Sequence, residues 1–490
     1  MSNTKKIKLT VSQERVFCQI KDFLKGKDRV FILKGYAGTG KTTMMRFLIE
    51  YLNKQKRGYH LLASTGRAAT VLDKATGSKN AATTIHSMIY RYSDFNQDVT
   101  AMDLTKQDIH GQLYLVFEAV KASGDDKEQV YIIDEASMIS DIESRNIVQA
   151  AFGSGRLLKE LLEYDADPGA KFIFVGDPCQ LPPIDQPFSP ALSAEYIRAT
   201  FRLGVQQAQL TEIIRQGDGN SIIVASQRIR QLYAKAPDTD DYYRGGKNWC
   251  RMPIARSENI LLHPNRESLL DGYLTSVREH GYSYATFVCR SNKECYTMAL
   301  NIRQLLGKQG AIAQDDLLLV IQNNAPAALY NGDLVVVKEF APTTESRAGL
   351  TFRKVKVQVL GGDITRSALL IEEVLHSGKL NLDNAQQKAL FVDFIMRMKR
   401  RGITQKDKQQ FTRAMMSDPY LNALRCTFGY AITCHKTQGG EWPEVFVQMP
   451  RNIMLNPTKS SYQWVYTAIT RARQTLHIVD DIYLESFRRW

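Results

Sequence analysis

Gly35-Tyr36-Ala37-Gly38-Thr39-Gly40-Lys41-Thr42 matches the pattern G-x-x-x-x-G-K-[ST]. An apolar run, Val30–Leu33, precedes it. Behind it, from Thr42 to Lys54, Met45, Leu48, Ile49 and Leu52 fall on one side of a predicted helix. Strand, glycine-rich loop and helix is the order that phosphate binding requires. Glycines let the backbone curl with its N–H groups pointing inward. The helix then presents its positive end to the same anion. Lys41 has the reach for the terminal phosphates, and the Thr42 hydroxyl suits Mg²⁺. Gly35, Ala37, Gly38, Thr39, Gly40, Lys41, Thr42 and Thr43 are therefore the expected cradle, with ATP and Mg²⁺ as ligands.

Two further strand ends carry polar groups. Val130–Ile133 leads into Asp134 and Glu135, at the carboxyl end of a strand where ligands of α/β proteins collect. Asp134 is expected to hold Mg²⁺, and Glu135 to orient and deprotonate the attacking water. Phe172–Val175 leads into Gly176-Asp177-Pro178-Cys179-Gln180-Leu181-Pro182-Pro183. The prolines stiffen that loop, and Gln180 is a candidate for contact with the terminal phosphate.

Further outward, His60–Ala63, Thr286–Cys289, Val445–Gln448 and Leu476–Val479 also read as buried parallel strands. Helical patterns lie between many of them. This predicts an α/β fold with parallel sheets and two α/β cores in one chain. The expected division is 1–205 for the first core, carrying an inserted segment at 91–129. Residues 206–339 and 426–490 form the second core, around an inserted accessory domain at 340–425. In that domain Leu350–Leu360 alternates like a strand, whereas Asn384 to Met416 reads as helical. The helical part carries Arg397, Lys399, Arg400, Arg401, Lys406 and Lys408, either a solvated face or a contact for nucleic acid.

The 490 residues contain 64 Lys and Arg against 51 Asp and Glu, a net charge of +13. That excess favours a polyanionic partner. The seven cysteines are scattered without zinc-ligand spacing and read as free thiols of a reducing compartment. The start, MSNTKKIKLT, has no apolar segment after its lysines. No run approaches the ~18 apolar residues that span a bilayer. A cytoplasmic protein with no membrane partner is expected.

Taken in order, GYAGTGKTT, ASTGRAA, TTIHSM, IIDEASM, VGDPCQLPPI, YAITCHKTQGGEW and VYTAITRAR resemble the motifs of superfamily 1 helicases. The likeness is to the 5′-to-3′ branch, with RecD-like proteins and the phage helicase Dda, and covers most of the chain outside the insertions. It implies two RecA-like cores that close on ATP. Gln13 then looks like the glutamine that reads adenine. Arg215, in LTEIIRQ, looks like the arginine reaching the γ-phosphate, and Arg471, in TAITRAR, like the arginine finger. Gln438 and Glu441 resemble residues that close the nucleotide cleft. Cationic forks from an opposing core would stabilise charge built up during transfer.

The same resemblance implies a strand-binding side. Thr65, Gly66, Arg67, Thr84 and His86 match backbone contacts in the first core; Thr433, His435 and Lys436 match those in the second. Ser291, Asn292 and Lys293 resemble a further contact loop. Hydroxyls, amides and backbone N–H groups hold phosphates without reading sequence. Neither histidine has a metal site's spacing. The first insertion occupies the slot of a strand-splitting pin, with Phe95 or Tyr114 as the wedge. The second occupies that of a small β-barrel, with a long helical extension.

The resulting expectation is an ATP hydrolase that translocates 5′-to-3′ on single-stranded DNA and unwinds duplex at junctions. It would act as a monomer in replication, recombination or repair. A translocase or protein-displacing remodeller with weak unwinding is the alternative, and RNA is the alternative strand. A nucleotide-gated binding module without hydrolysis is disfavoured by Glu135, Arg215 and Arg471.

Overall fold

In the computed structural model, residues 8–485 are described, apart from 79, 97–113, 124–127, 144–149, 214–219, 237–250, 325, 452–453 and 455–456. Packing divides the chain into two units: 1–91, 119–143 and 153–219; and 92–118, 144–152 and 220–490.

The first unit is built on a six-stranded sheet. Its order is Thr83–Thr84, Tyr59–Ala63, Val130–Asp134, Lys171–Gly176, Val30–Gly35 and Val205–Leu210. All its pairs are parallel. The central strands are continuously buried, as a sheet covered on both faces demands. Ile20, Phe23, Leu48 and Leu52 from two helices pack with Phe31, Leu33, Ile132 and Ile173 of the sheet. The expected end of this core at residue 205 is too early. Val205–Leu210 pairs with Val30–Gly35 along its whole length and belongs to the first sheet. Its sequence, VQQAQL, hid it, because an edge strand needs apolar residues on one face only.

The second unit holds three sheets. The largest parallel one runs Ile260–His263, Ala472–Val479, Trp442–Val447, Ala285–Cys289 and Ile432–Thr433. Its pairings are all parallel, which makes it the second core. The next sheet is antiparallel and contains Leu317–Val320, Leu334–Phe340, Glu345–Arg347, Leu350–Val359, Thr365–Ile371 and Cys426–Phe428. It closes on itself. Leu424, just before the last strand, donates to Leu369 at 2.6 Å and accepts from Ile371 at 3.1 Å. The accessory domain is therefore a barrel that starts near Leu317, not at residue 340. Its first two strands are apolar runs that cannot be told from core strands by pattern alone.

Two helices, Asn384–Arg400 and Lys408–Ser417, extend the barrel. Leu390, Phe391, Phe394 and Phe411 are buried between them. Arg397 pairs with Asp393 at 2.8 Å and with Asp418, so this cation is part of the packing rather than a free basic face.

The third sheet is formed by Tyr90–Phe95, Leu115–Ala119 and Ala150–Phe152. The first insertion is thus joined by a segment well beyond residue 129, and that strand pairs parallel with Leu115–Ala119. Among the described residues, no helix is long and apolar enough to cross a membrane.

Candidate nucleotide site and strand-binding loops

The nucleotide site forms at the carboxyl edge of the first sheet. Gly38 and Gly40 have φ of 77° and 81°, the left-handed region that lets the loop curl. Gly40 caps the helix Lys41–Lys54. A Cβ at Gly35 would lie 2.8 Å from both Lys41 Cγ and Thr39 Oγ1, so only glycine fits there. Lys41 Nζ donates to the carbonyls of Gly35 at 2.8 Å and Tyr36 at 3.1 Å, which holds the ammonium over the loop. Thr39 is buried and donates to the Tyr36 carbonyl at 2.8 Å. Ala37, Thr42 and Thr43 complete the turn and the first helical residues.

Asp134 ends the strand Val130–Asp134, one strand removed from the phosphate loop's own neighbour. Burial first, then the charge of Glu135, pushes its carboxyl up to about 7, opposed by Lys41. Lys41 and Glu135 thus act in opposite senses on this half-buried acid. Glu135 sits at φ 49°, ψ 40°, a left-handed conformation uncommon for a side-chain-bearing residue. Such strain concentrates at functional sites. The donor set fits Mg²⁺: Thr42 offers a hydroxyl and Asp134 an oxygen whose ionised form lacks solvation, both hard ligands.

Gln13 is buried, and its amide is engaged at both ends. Its Oε1 accepts from Thr10 N–H at 3.1 Å, and its Nε2 donates to the Thr39 carbonyl at 3.3 Å. The glutamine expected to read adenine therefore also ties the first helix to the phosphate loop. Thr10 went unnoticed in the sequence, although T-x-x-Q before a helix is a capping box. Its hydroxyl donates to Glu212 at 2.7 Å. Gln180 is buried, and its N–H donates to the Asp177 carbonyl at 3.2 Å. Arg215 lies outside the described residues.

The strand-binding candidates occupy equivalent places in both cores. In the first, Ala63 is in register with Thr84. The loops carrying Thr65, Gly66 and Arg67, and Thr84 and His86, therefore leave neighbouring strands at one level. In the second, Cys289 is in register with Thr433. Ser291, Asn292 and Lys293 thus emerge beside Thr433, His435 and Lys436. Thr65, Thr84 and Ser291 cap helices, each hydroxyl accepting from a backbone N–H. At Thr65 and Ser291 such a hydroxyl keeps its proton for a phosphate oxygen, whereas the Thr84 hydroxyl also meets Ser87 Oγ at 2.9 Å. Burial pushes His86 and His435 below the ordinary imidazole value, so both are neutral hydrogen-bonding groups near pH 7.

Asn292, Thr433 and Lys436 line one narrow cleft with Cys295, Tyr296, Leu380 and Phe428, a space of about 20 Å³. Burial pushes Lys436 down to about 8. Its Nζ donates to Asn331 Oδ1 at 2.5 Å. Nothing in the local sequence marks Asn331, because its partner lies far along the chain.

Arg471 is buried in its own unit. It donates to the Thr467 carbonyl at 3.0 Å, the Gly440 carbonyl at 3.2 Å and Thr470 Oγ1 at 3.2 Å. Gln438 is buried on the same loop, and Glu441 is exposed. Of the pin candidates, Phe95 is buried, its ring 5.2 Å from Phe391 and 6.3 Å from Phe411. It is a packing residue in this structure, not an exposed wedge. Tyr114 is half-buried, and its carbonyl accepts from Asn96 N–H at 3.0 Å.

Residues 8–242 match the AAA domain, and residues 428–479 match the UvrD-like helicase C-terminal domain. Together with the relatives below, these matches make the chain similar to superfamily 1 helicases of the RecD-like and Dda type. It is 26% identical to the ATP-dependent RecD2 DNA helicase of Deinococcus radiodurans over 238 residues, 48% of this chain and 26% of that one. It is 28% identical to the ATP-dependent DNA helicase Dda of Enterobacteria phage T4 over 209 residues, 42% of this chain and 39% of that one. An uncharacterized protein of Methanocaldococcus jannaschii is 25% identical over 508 residues, covering 94% of this chain and 37% of the relative. The chain thus spans well under half the length of these curated relatives. Among solved structures, Pif1 helicase from Bacteroides in complex with ADP-AlF3 and ssDNA aligns with a TM-score of 0.48 at 16% identity. That alignment covers 99% of this chain and 94% of the other.

Proposed function

We propose that this protein is an ATP-driven DNA helicase that moves 5′-to-3′ along single-stranded DNA and opens duplex at junctions. The observation that carries the reading is that the loop Gly35–Thr42 and the strand end Asp134–Glu135 lie on the carboxyl edge of one parallel sheet, two strands apart. ATP is held by the loop Gly35–Thr42, with Lys41 exchanging loop carbonyls for phosphate oxygens. Thr42 and Asp134 hold the Mg²⁺, which neutralises charge on the phosphates. Glu135 takes the proton of the attacking water. Arg215 and Arg471 supply positive charge to the γ-phosphate, the latter exchanging its carbonyl partners for it. Gln13 and Gln180 couple the loop to its surroundings, and Gln438 and Glu441 line the approach.

The paired loops of the two cores supply two grips on one strand. Thr65, Gly66, Arg67, Thr84 and His86 form the first. Ser291, Asn292, Lys293, Thr433, His435 and Lys436 form the second. Hydroxyls, amides and a cation suit phosphates of any sequence. A cycle of ATP binding and hydrolysis then moves one grip past the other.

ATP turnover measured with and without single-stranded DNA or RNA tests the reading. Strong stimulation by DNA supports it; turnover indifferent to either strand refutes it. Partial duplexes with one 5′ or one 3′ tail test direction, and unwinding from 3′ tails alone overturns the assigned polarity.

A further inference from the structure

We infer that Asn331, on the first turn of the barrel, is a positioning residue that fixes the Lys436 ammonium beside the strand-binding loop of the second core. The inference rests on the proposed grip on single-stranded DNA and adds a residue from outside every motif to it.

Asn331 lies between the barrel strands Leu317–Val320 and Leu334–Phe340. The turn is fixed by its own bonds. Asn331 N–H donates to Asn323 Oδ1 at 2.8 Å, and Tyr330 N–H to Asp333 Oδ2 at 2.8 Å. Gly332, at φ 97°, permits the reversal. The turn thus presents the Asn331 amide oxygen to Lys436 at 2.5 Å.

The chemistry of the partner matters. A lysine on a cleft wall needs an acceptor to fix its long side chain, or rotamer freedom opposes every contact it makes. A carboxylate would fix it but also satisfy its charge and repel a phosphate. An amide oxygen fixes the direction and leaves the charge uncompensated. Among the described residues, no carboxylate forms an ion pair with Lys436 within 4.0 Å. Asn292 and Thr433 line the same cleft. An anion reaching Lys436 meets a pre-aimed cation, with a hydroxyl and an amide from two segments beside it. The barrel would then set the strength of the second grip, beyond serving as a spacer.

The test is the affinity of the full chain for a fluorescent oligothymidylate, measured across a range of salt. The variants are N331A, N331D, K436A and the N331A/K436A double. Asn331→Ala should weaken binding by roughly three- to tenfold, the scale of one lost hydrogen bond. Asn331→Asp should weaken it further and lower the salt slope by about one, as Lys436 stops replacing a counterion. In the K436A background, N331A should have no further effect. Thermal unfolding separates these effects from lost structure; if N331D does not fold, the N331A cycle carries the test.

Additive losses in the double variant, or wild-type binding by N331D, would overturn the role of Asn331. Failure of the wild-type chain to bind the oligonucleotide would instead overturn the proposed function. Wild-type binding that K436A leaves unchanged removes Lys436 from the grip and the inference with it.

Discussion

Arg471 donates to the Gly440 carbonyl at 3.2 Å, so one guanidinium joins the end of the helix Lys459–Ile469 to the loop that follows Gln438. The same fork reaches Thr467 and Thr470. A planar five-donor group can hold three acceptors at once, and an ammonium on a flexible stem cannot reproduce that geometry. Arg471→Lys is expected to lower stability by about 2 kcal/mol, the scale of buried acceptors left unpaired by a charged donor. It should also depress ATP turnover. Denaturant unfolding and steady-state turnover read the two effects separately.

Glu135→Gln keeps the size of the side chain and its left-handed backbone but removes the base. ATP affinity should change little, while turnover falls on the order of 10²- to 10⁴-fold. Equilibrium nucleotide binding beside single-turnover hydrolysis distinguishes this from general damage. Normal turnover in this variant would remove Glu135 from the mechanism.

Gly35→Ala places a methyl group 2.8 Å from Lys41 Cγ and from Thr39 Oγ1. Both belong to the phosphate loop, so the loop must distort. The expected result is a nucleotide dissociation constant raised at least tenfold with the melting temperature almost unchanged. Titration with a fluorescent ATP analogue and a thermal scan check it.

His477 contributes a pH dependence with a definite sign. Its ring stacks on Phe446 at 4.0 Å, and its Nδ1 lies 3.0 Å from His263 Nε2. Burial, then His263, pushes it down to about 4. The unfolded chain, with an ordinary imidazole, binds the proton more readily. Stability from this group is therefore complete at neutral pH and is lost as pH falls from about 6.5 toward 4. Between pH 7 and pH 5 the loss is roughly 2 kcal/mol. Denaturant unfolding at both pH values, for wild type and His477→Asn, should show that increment in wild type alone.

The buried pair Arg303–Asp316 stands where the chain enters and leaves the barrel. Asp316 receives Arg303 at 3.0 Å and the Tyr430 hydroxyl at 2.7 Å. Asp316→Ala leaves a buried guanidinium without its counter-charge and should cost about 3–5 kcal/mol. An unfolding midpoint equal to wild type would refute it.

The parts legible in the sequence were those whose chemistry is local. The loop Gly35–Thr42 and the Asp134–Glu135 strand end each carry their own pattern, and the structure sets them on one edge. The strand Val205–Leu210 was illegible because three of its six residues are glutamines, two of them exposed, and partnership with Val30–Gly35 decides its state. Barrel strands Leu317–Val320 and Leu334–Phe340 drew no assignment of their own, since apolar runs do not reveal which sheet claims them. Phe95 looked like a wedge until Phe391 and Phe411, distant in sequence, were seen to enclose it. Asn331 had no signature, since only Lys436 gives it a role.

The register of Cys289 with Thr433 has a consequence for how the protein is made. The strand Ala285–Cys289 leaves the ribosome long before either of its neighbours, Ile432–Thr433 and Trp442–Val447, has been translated. The barrel and its helices come out in the interval. Their contacts are closer in sequence, so they are free to condense first. Meanwhile both edges of a fully buried strand remain open, a template for pairing with the wrong chain. The second core is thus the last part to become protected, and its completion is expected to be the step at which slow synthesis or heat diverts the nascent protein into aggregates.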